Sequence, residues 1–299
     1  VGVPYSLITT DEGDLDAKLT TLDPNFSAVI VDLLFTAGLE KNDTIAVMLT
    51  GSMPGANIAL LSACQVMGIH PIIISSIGAS QWGANQVDFT WLDMEDILIE
   101  NKLINSRSVA SSIGGRNDMG RLLSPLGRDL IIENIKNYDL PLIRENRLAD
   151  NIKKRTDIYN EYHPIDKYDG VVNIGGGVAS LGTSFNYRLI PPGIVNRSDI
   201  VDIDNSSGIE GAFSYFLKRN ITGLHILNIK SIIENYNLPF APIPHPKIGE
   251  GVLYAKERYN LTIVFLCFLI LTGSVAFIGY KSKKQIREHL TKYEPDSLL

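Results

Sequence analysis

The sequence predicts an α/β fold: a mostly parallel sheet with helices on both faces, arranged as two Rossmann-like halves, followed by one C-terminal transmembrane helix. Short apolar runs rich in β-formers alternate with longer runs of helical apolar spacing, the rhythm of a parallel sheet covered on both sides. Glycine-rich turns follow several of those runs. Leu261 to Tyr280 (LTIVFLCFLILTGSVAFIGY) carries no charge, and a helix of that length rises about 30 Å, the thickness of a bilayer's hydrocarbon core.

Asp23-Pro24 opens a helix over Asn25 to Leu39, with Gly38 suited to its C-terminal cap. Thr44 to Leu49 reads as a buried strand, and the turn TGSMPG leads into a helix from Ala56 to Met67 that Gly68 ends. Pro71 to Ser76 is a second buried strand. Asp93 to Leu103 is a third helix, and Ser124-Pro125 starts a fourth with proline in its first turn. Glu145 to Tyr162 is polar and charged, which suggests a surface helix. His163-Pro164 breaks it and marks an expected boundary between the halves. Strand Gly170 to Ile174, helix Gly208 to Asn220 and strand Leu224 to Ile229 follow. The stretch LPFAPIPHPKIGEG reads as a rigid extended strap. The expected organisation is therefore a first half over 1–162, a second half with the strap over 163–259, the membrane helix over 260–281 and a tail over 282–299.

Lys281, Lys283, Lys284 and Arg287 follow the apolar run, while Lys256, Glu257 and Arg258 precede it with mixed sign. This asymmetry places the tail in the cytoplasm and the main domain outside it. The chain begins at Val1 with no visible leader, so a segment ahead of it is expected to direct export. Outside the anchor and tail there are 22 basic and 30 acidic residues, a balance that excludes a nucleic-acid partner and requires local groups to hold any anion. Cys64 and Cys267 cannot pair, since one lies in a helical run and the other in the anchor. No Cys/His cluster has metal-ligand spacing, and no cofactor is implied. Six glycosylation-type sequons, at Asn25, Asn42, Asn196, Asn205, Asn220 and Asn260, read as chance matches in an Asn-rich chain.

Ligands of open parallel sheets bind beyond the carboxyl ends of the strands, which points to four loops. In the first, around Ser52 and Asn57, small residues at a helix start let backbone N–H groups approach an anion, and Ser52 is a nucleophile or a cap. It does not meet G-x-S-x-G, because Thr50 and Pro54 occupy the glycine positions. The second carries Ser76, Ser80, Trp82, Asn85 and Asp93, either a stacking platform with polar donors or a packed Ω-loop. In the third, Arg116 and Arg121 sit in a glycine-rich turn suited to bidentate contact with carboxylate or phosphate. The fourth runs through Asn173, Gly175, Gly176, Gly177 and Ser180 and signals a close backbone approach without forming a phosphate-loop motif. His225, in a buried strand, is either a core histidine or the best-placed general base.

The blocks YSLITTDEGDLDAK with DPNF, GSMPGANIALLSA, SSIGASQWGANQVDFTWLDME, SVASSIGGRNDMGRLLSPLGR, VVNIGGGVASLG and HILNI occur in this order between Tyr5 and about Gly251. On these blocks the chain resembles the poly-gamma-glutamate system protein family, accessory membrane proteins of bacterial poly-γ-glutamate capsule synthesis. The family's GSFPALN appears here with Met53, Gly55 and Ala56 in place of three of its residues. The resemblance implies a protein of the bacterial cytoplasmic membrane whose partners are poly-γ-glutamate or the synthase's membrane subunits. It brings no catalytic residue with it. Two functions follow as expectations. One is an accessory module that binds γ-glutamyl polymer or organises the synthase. The other is a γ-glutamyl amide hydrolase or transferase, with Ser52 as nucleophile and His225 moving protons.

Overall fold

A computed structural model describes residues 1–183, 186–200, 210–249, 253–254 and 259–293. Asn205, the start of the helix expected from Gly208, the Lys256–Arg258 flank and the end of the tail lie outside the described residues. Residues 1–254 and 255–299 separate into two units.

In the first unit, a seven-stranded sheet has the order β4-β3-β2-β1-β5-β7-β6. Its strands are β1 (Thr44–Thr50), β2 (His70–Ser76), β3 (Ser108–Ser112), β4 (Leu142–Ile143), β5 (Gly170–Ile174), β6 (Gly193–Val195) and β7 (Thr222–Ile226). All pairings are parallel except that of β6 with β7. The chain winds outward from β1 through β4, then crosses back to place β5 on the other side of β1. That reversal between β1 and β5 is where such sheets open a ligand crevice. The two strands also lie on opposite sides of His163-Pro164, so both expected halves contribute to one sheet.

Strand residues alternate between two apolar layers. Ile45, Val47, Leu49, Val172, Ile174, Leu224 and Ile226 pack with α2 (Phe26–Thr36), α3 (Pro54–Met67), α4 (Trp91–Glu100), α5 (Pro125–Asn137) and helix Ile229–Glu234. Ala46, Met48, Ile74, Ala110 and Val171 pack with α6 (Leu148–Tyr162), α7 (Val178–Leu181) and helix Ala212–Leu217. Gly68 ends α3 in the left-handed region, and Thr90 and Asp93 form a capping box at α4. Helix α6 departs from the expected surface position. Its polar sequence hides a buried face of Asn151, Ile152, Arg155, Ile158 and Tyr159.

Residues Leu238–Gly249 run back over α1 (Leu15–Thr20) and the start of α2. Asn25 donates to the Lys247 carbonyl (3.1 Å) and accepts from Gly249 N (3.1 Å) and Tyr254 Oη (3.2 Å), while Thr20 accepts from Ala241 N (2.8 Å). The Asn25 side chain is fully buried by these contacts and is not available as a glycan acceptor.

Among the described residues, the second unit holds one helix, Leu261–Tyr293, with an apolar stretch long enough to cross a membrane. It continues past the expected end of the span through good helix formers and the Lys284–Glu288 pair at i,i+4.

One buried carboxyl makes the first unit's stability depend on pH. Burial pushes Glu95 up to about 7, against the pull of its hydrogen bonds from Ser108 N (3.0 Å) and Ser108 Oγ (2.8 Å). The folded chain holds this proton where the unfolded chain has lost it, so stability falls as pH rises from the ordinary carboxylate range through about 7. Urea denaturation at pH 5 and pH 8 should show a loss on the order of 3 kcal/mol at the higher pH. Glu95→Gln should abolish most of that difference.

Candidate functional site

The carboxyl ends of five strands present a row of polar residues on the face covered by α6, α7 and Ala212–Leu217. Register aligns Thr50 of β1 with Ser76 of β2 and Ser76 with Ser112 of β3. It also aligns Met48 with Asn173 of β5, and Asn173 with His225 of β7. All five polar residues are buried. Gly175, at φ +93°, lies where an added Cβ would come within 2.2 Å of Thr50 Oγ1, so only glycine lets β5 leave the sheet here.

An ion pair closes one end of the row. Arg155, on α6, donates to both Asp118 carboxylate oxygens (2.9 and 3.0 Å), to Ser76 Oγ (3.0 Å) and to Ser112 Oγ, and Ser112 Oγ donates to Asp118 (2.7 Å). Both charged side chains are almost wholly buried. At the other end, Asn173 Nδ2 donates to the Gly175 carbonyl (2.8 Å) and to His225 Nδ1 (3.0 Å). The carbonyl fixes the amide's orientation, and the amide makes Nδ1 an acceptor, so the neutral ring carries its hydrogen on Nε2. Burial pushes the His225 pKa down to about 4, which keeps the ring neutral at physiological pH. Thr50 Oγ1, Asn173 Oδ1 and His225 Nε2 have no hydrogen-bond partner among the described residues.

A basic rim borders the β3–β4 side. Arg116 and Arg121 follow β3, and Arg144 follows β4; all three are exposed and make no ion pair among the described residues. Asn151 ties the two loops together by accepting from Glu145 N (2.7 Å) and donating to the Asn117 carbonyl (3.4 Å). Helix α7, which begins just after Gly175-Gly176-Gly177, packs against Arg116–Asp118 and brings the glycine loop to the rim.

The other expected residues divide between site and scaffold. Asn85 is consumed by Val3 N (3.0 Å), the Val3 carbonyl (2.8 Å) and Thr9 Oγ1 (2.9 Å), and it sews the N-terminal segment onto the second loop. Asp93 caps α4 and accepts from Tyr138 Oη (2.6 Å). Asn57 donates to the Thr50 carbonyl (3.0 Å), and Ser180 is buried in α7. Trp82 is half-buried at φ 64°, whereas Trp91 is fully buried.

Ser52 and His225 are not brought together. Ser52 Oγ accepts from Ser80 N (3.0 Å) on the β2 side of β1, while His225 lies two strands away on the other side, beneath Phe213. Thr50, Lys18, Arg144 and Arg155 were not singled out from the sequence; for Arg155 a signal existed, a cation on the apolar face of an amphipathic helix. No group of acidic, histidine or cysteine side chains among the described residues has metal-binding geometry.

No protein-family model and no curated protein matches the chain. Among solved structures, a diaminopropionate ammonia lyase from Escherichia coli, in complex with an aminoacrylate–PLP intermediate, aligns at 9% identity with a TM-score of 0.20. The alignment covers 72% of this chain and 59% of the lyase, so less than two thirds of that enzyme is spanned. A likeness at that score carries no argument.

The Arg155–Asp118 pair is testable by calorimetry. Asp118→Ala should leave an uncompensated buried guanidinium and cost about 3–5 kcal/mol. Asp118→Leu combined with Arg155→Met should recover most of that loss.

Proposed function

We propose that this chain is a membrane-anchored accessory component of bacterial poly-γ-glutamate synthesis or export, and that its α/β domain binds the γ-glutamyl polymer. The observation that carries the reading is the basic rim of Arg116, Arg121 and Arg144 on an otherwise acidic domain. Exposed guanidinium groups without ion-pair partners among the described residues are matched to a polymer bearing one carboxylate per residue. The sequence blocks on which the family resemblance rests also support it. Five of the six begin within a strand of this sheet or directly after one, and carry the residues that follow its carboxyl end.

Binding is the better supported of the two expected functions, because Ser52 lacks a general base in His225. In detergent-solubilised full-length protein, γ-glutamate oligomers should bind saturably and more weakly as salt rises. Replacing Arg116, Arg121 and Arg144 together by Gln should lower affinity by about tenfold or more, equivalent to ~1.4 kcal/mol. Calorimetry with no difference between the triple variant and the parent would remove the rim from the binding surface.

The lysine-rich flank of the membrane helix supports a main domain outside the cytoplasm and a cytoplasmic tail. Protease added to intact spheroplasts should degrade the domain and spare an epitope attached after Leu299. The opposite pattern would invert the topology.

A further inference from the structure

Beside the polar row, a second cluster sits where the β1 and β2 loops meet α1, and it contains a lysine that the binding reading does not use. Lys18 is 3% exposed, and its Nζ is within hydrogen-bond distance of Ser80 Oγ (2.8 Å), the Ser80 carbonyl (3.4 Å) and the Gln81 carbonyl. Two carbonyls and one hydroxyl accept all three hydrogens of the ammonium form, and after loss of one proton the amine keeps both carbonyl bonds and turns its lone pair to the Ser80 hydroxyl. Ser80 N donates to Ser52 Oγ (3.0 Å), so the Ser52 hydroxyl hydrogen remains available beside Ser80. Ser52, Ser80, Gln81 and Trp82 are all half-buried, which leaves the serines within reach of solvent, whereas Lys18 is enclosed. Glycines permit this enclosure. A Cβ on Gly13 would come within 2.6 Å of Lys18 Nζ, and one on Gly83 within 2.8 Å of Ser52 Cα.

We propose that Ser80 and Lys18 form a serine–lysine acyl-transfer pair, with Ser52 as a hydrogen-bond donor to the substrate's carbonyl oxygen. In the first step Lys18 Nζ takes the Ser80 hydroxyl proton while Ser80 Oγ bonds to the carbonyl carbon of an amide or ester. The C–N or C–O bond then breaks, and the leaving amine or alcohol takes the proton back from Lys18. Water releases the acyl group as a carboxylic acid by the same route, with Lys18 accepting the water's proton and returning it to Ser80.

The substrate class inferred is an acyl compound with a carboxylate nearby, and that clause alone rests on the arginine rim. Thr10 adjoins both regions, since a Cβ on Gly78 or on Gly115 would press on its side chain. Burial supports the chemistry by pushing the Lys18 pKa down to about 8, with Asp14 opposing it. Around Lys18, the loop Ser80–Trp82 carries no titratable side chain, α3 carries only the buried Cys64, and Asp11, Glu12, Lys230 and Glu234 are exposed to solvent.

The test is fluorophosphonate labelling of the full-length protein in detergent, read by peptide mass spectrometry. Ser80 should be phosphonylated, at a rate that rises with pH through a midpoint near 8. Lys18→Arg, which keeps the cation but not the base, should abolish labelling with an unchanged circular dichroism spectrum. Asp14→Asn, which can still cap α1, should move the midpoint to lower pH. Absence of an adduct on Ser80 at pH 9, a rate indifferent to pH, or undiminished labelling of folded Lys18→Arg would each overturn the proposal. The wild-type pH profile decides the matter even if the Lys18 variant does not fold. Loss of labelling with oligomer binding intact would remove this pair alone, and the reverse would remove the rim alone.

Discussion

The guanidinium of Arg155 is the constraint around which the carboxyl edge of the sheet is organised. A cation in a dry interior costs several kcal/mol unless it is paired and fully hydrogen-bonded. Arg155 meets that requirement only if β2 supplies Ser76, β3 supplies Ser112 and the loop beyond β3 turns Asp118 inward. Three pieces of chain are thereby held to α6. The turn itself is strained, because Asn117 and Asp118 both lie at φ near +60°. Such residues cost about 1 kcal/mol or more each. The ion pair offsets that cost, and the strained turn in turn projects Arg116 outward.

One helical turn before Arg155 on α6, Asn151 extends the same logic to the surface. Its two bonds hold the residues after β3 beside those after β4, so the outward arginines belong to loops fixed from below. On the other side of the edge, Asn85 does a comparable job for the N-terminal segment, and Thr10 then lies between the loops after β2 and β3. The outward side chains of these loops are placed by buried amides, which leaves little ordering entropy to be lost in any contact they make.

The parallel sheet, β1, β2, β5, β7 and helices α2, α3 and α4 were legible because apolar runs or apolar residues at helical spacing mark them. Strand β3 was not. Its sequence SVASS has few β-formers, and it becomes a strand only because Arg155, Asp118 and Glu95 satisfy serines that would be costly to bury alone. Strands β4 and β6 have two and three residues, too short for any periodicity to register. The loops carrying the site were identifiable from glycine and serine content. Their internal division was not, since a side chain sewing two segments together and one facing a ligand look the same in sequence. Asn85 and Asp93 are of the first kind, whereas Arg116 and Arg121 point to solvent. Lys18 gave no signal, because only tertiary structure takes it out of water.

The strap over α1 and α2 has a mechanical consequence. Its attachments at Asn25, Thr20 and Asp32 are side-chain hydrogen bonds strung one after another along the chain, the last made by Tyr236 (2.8 Å). Pulling on the strap from its far end therefore loads these bonds one at a time, while the hydrogen bonds of the sheet lie outside that series and keep its strands in register.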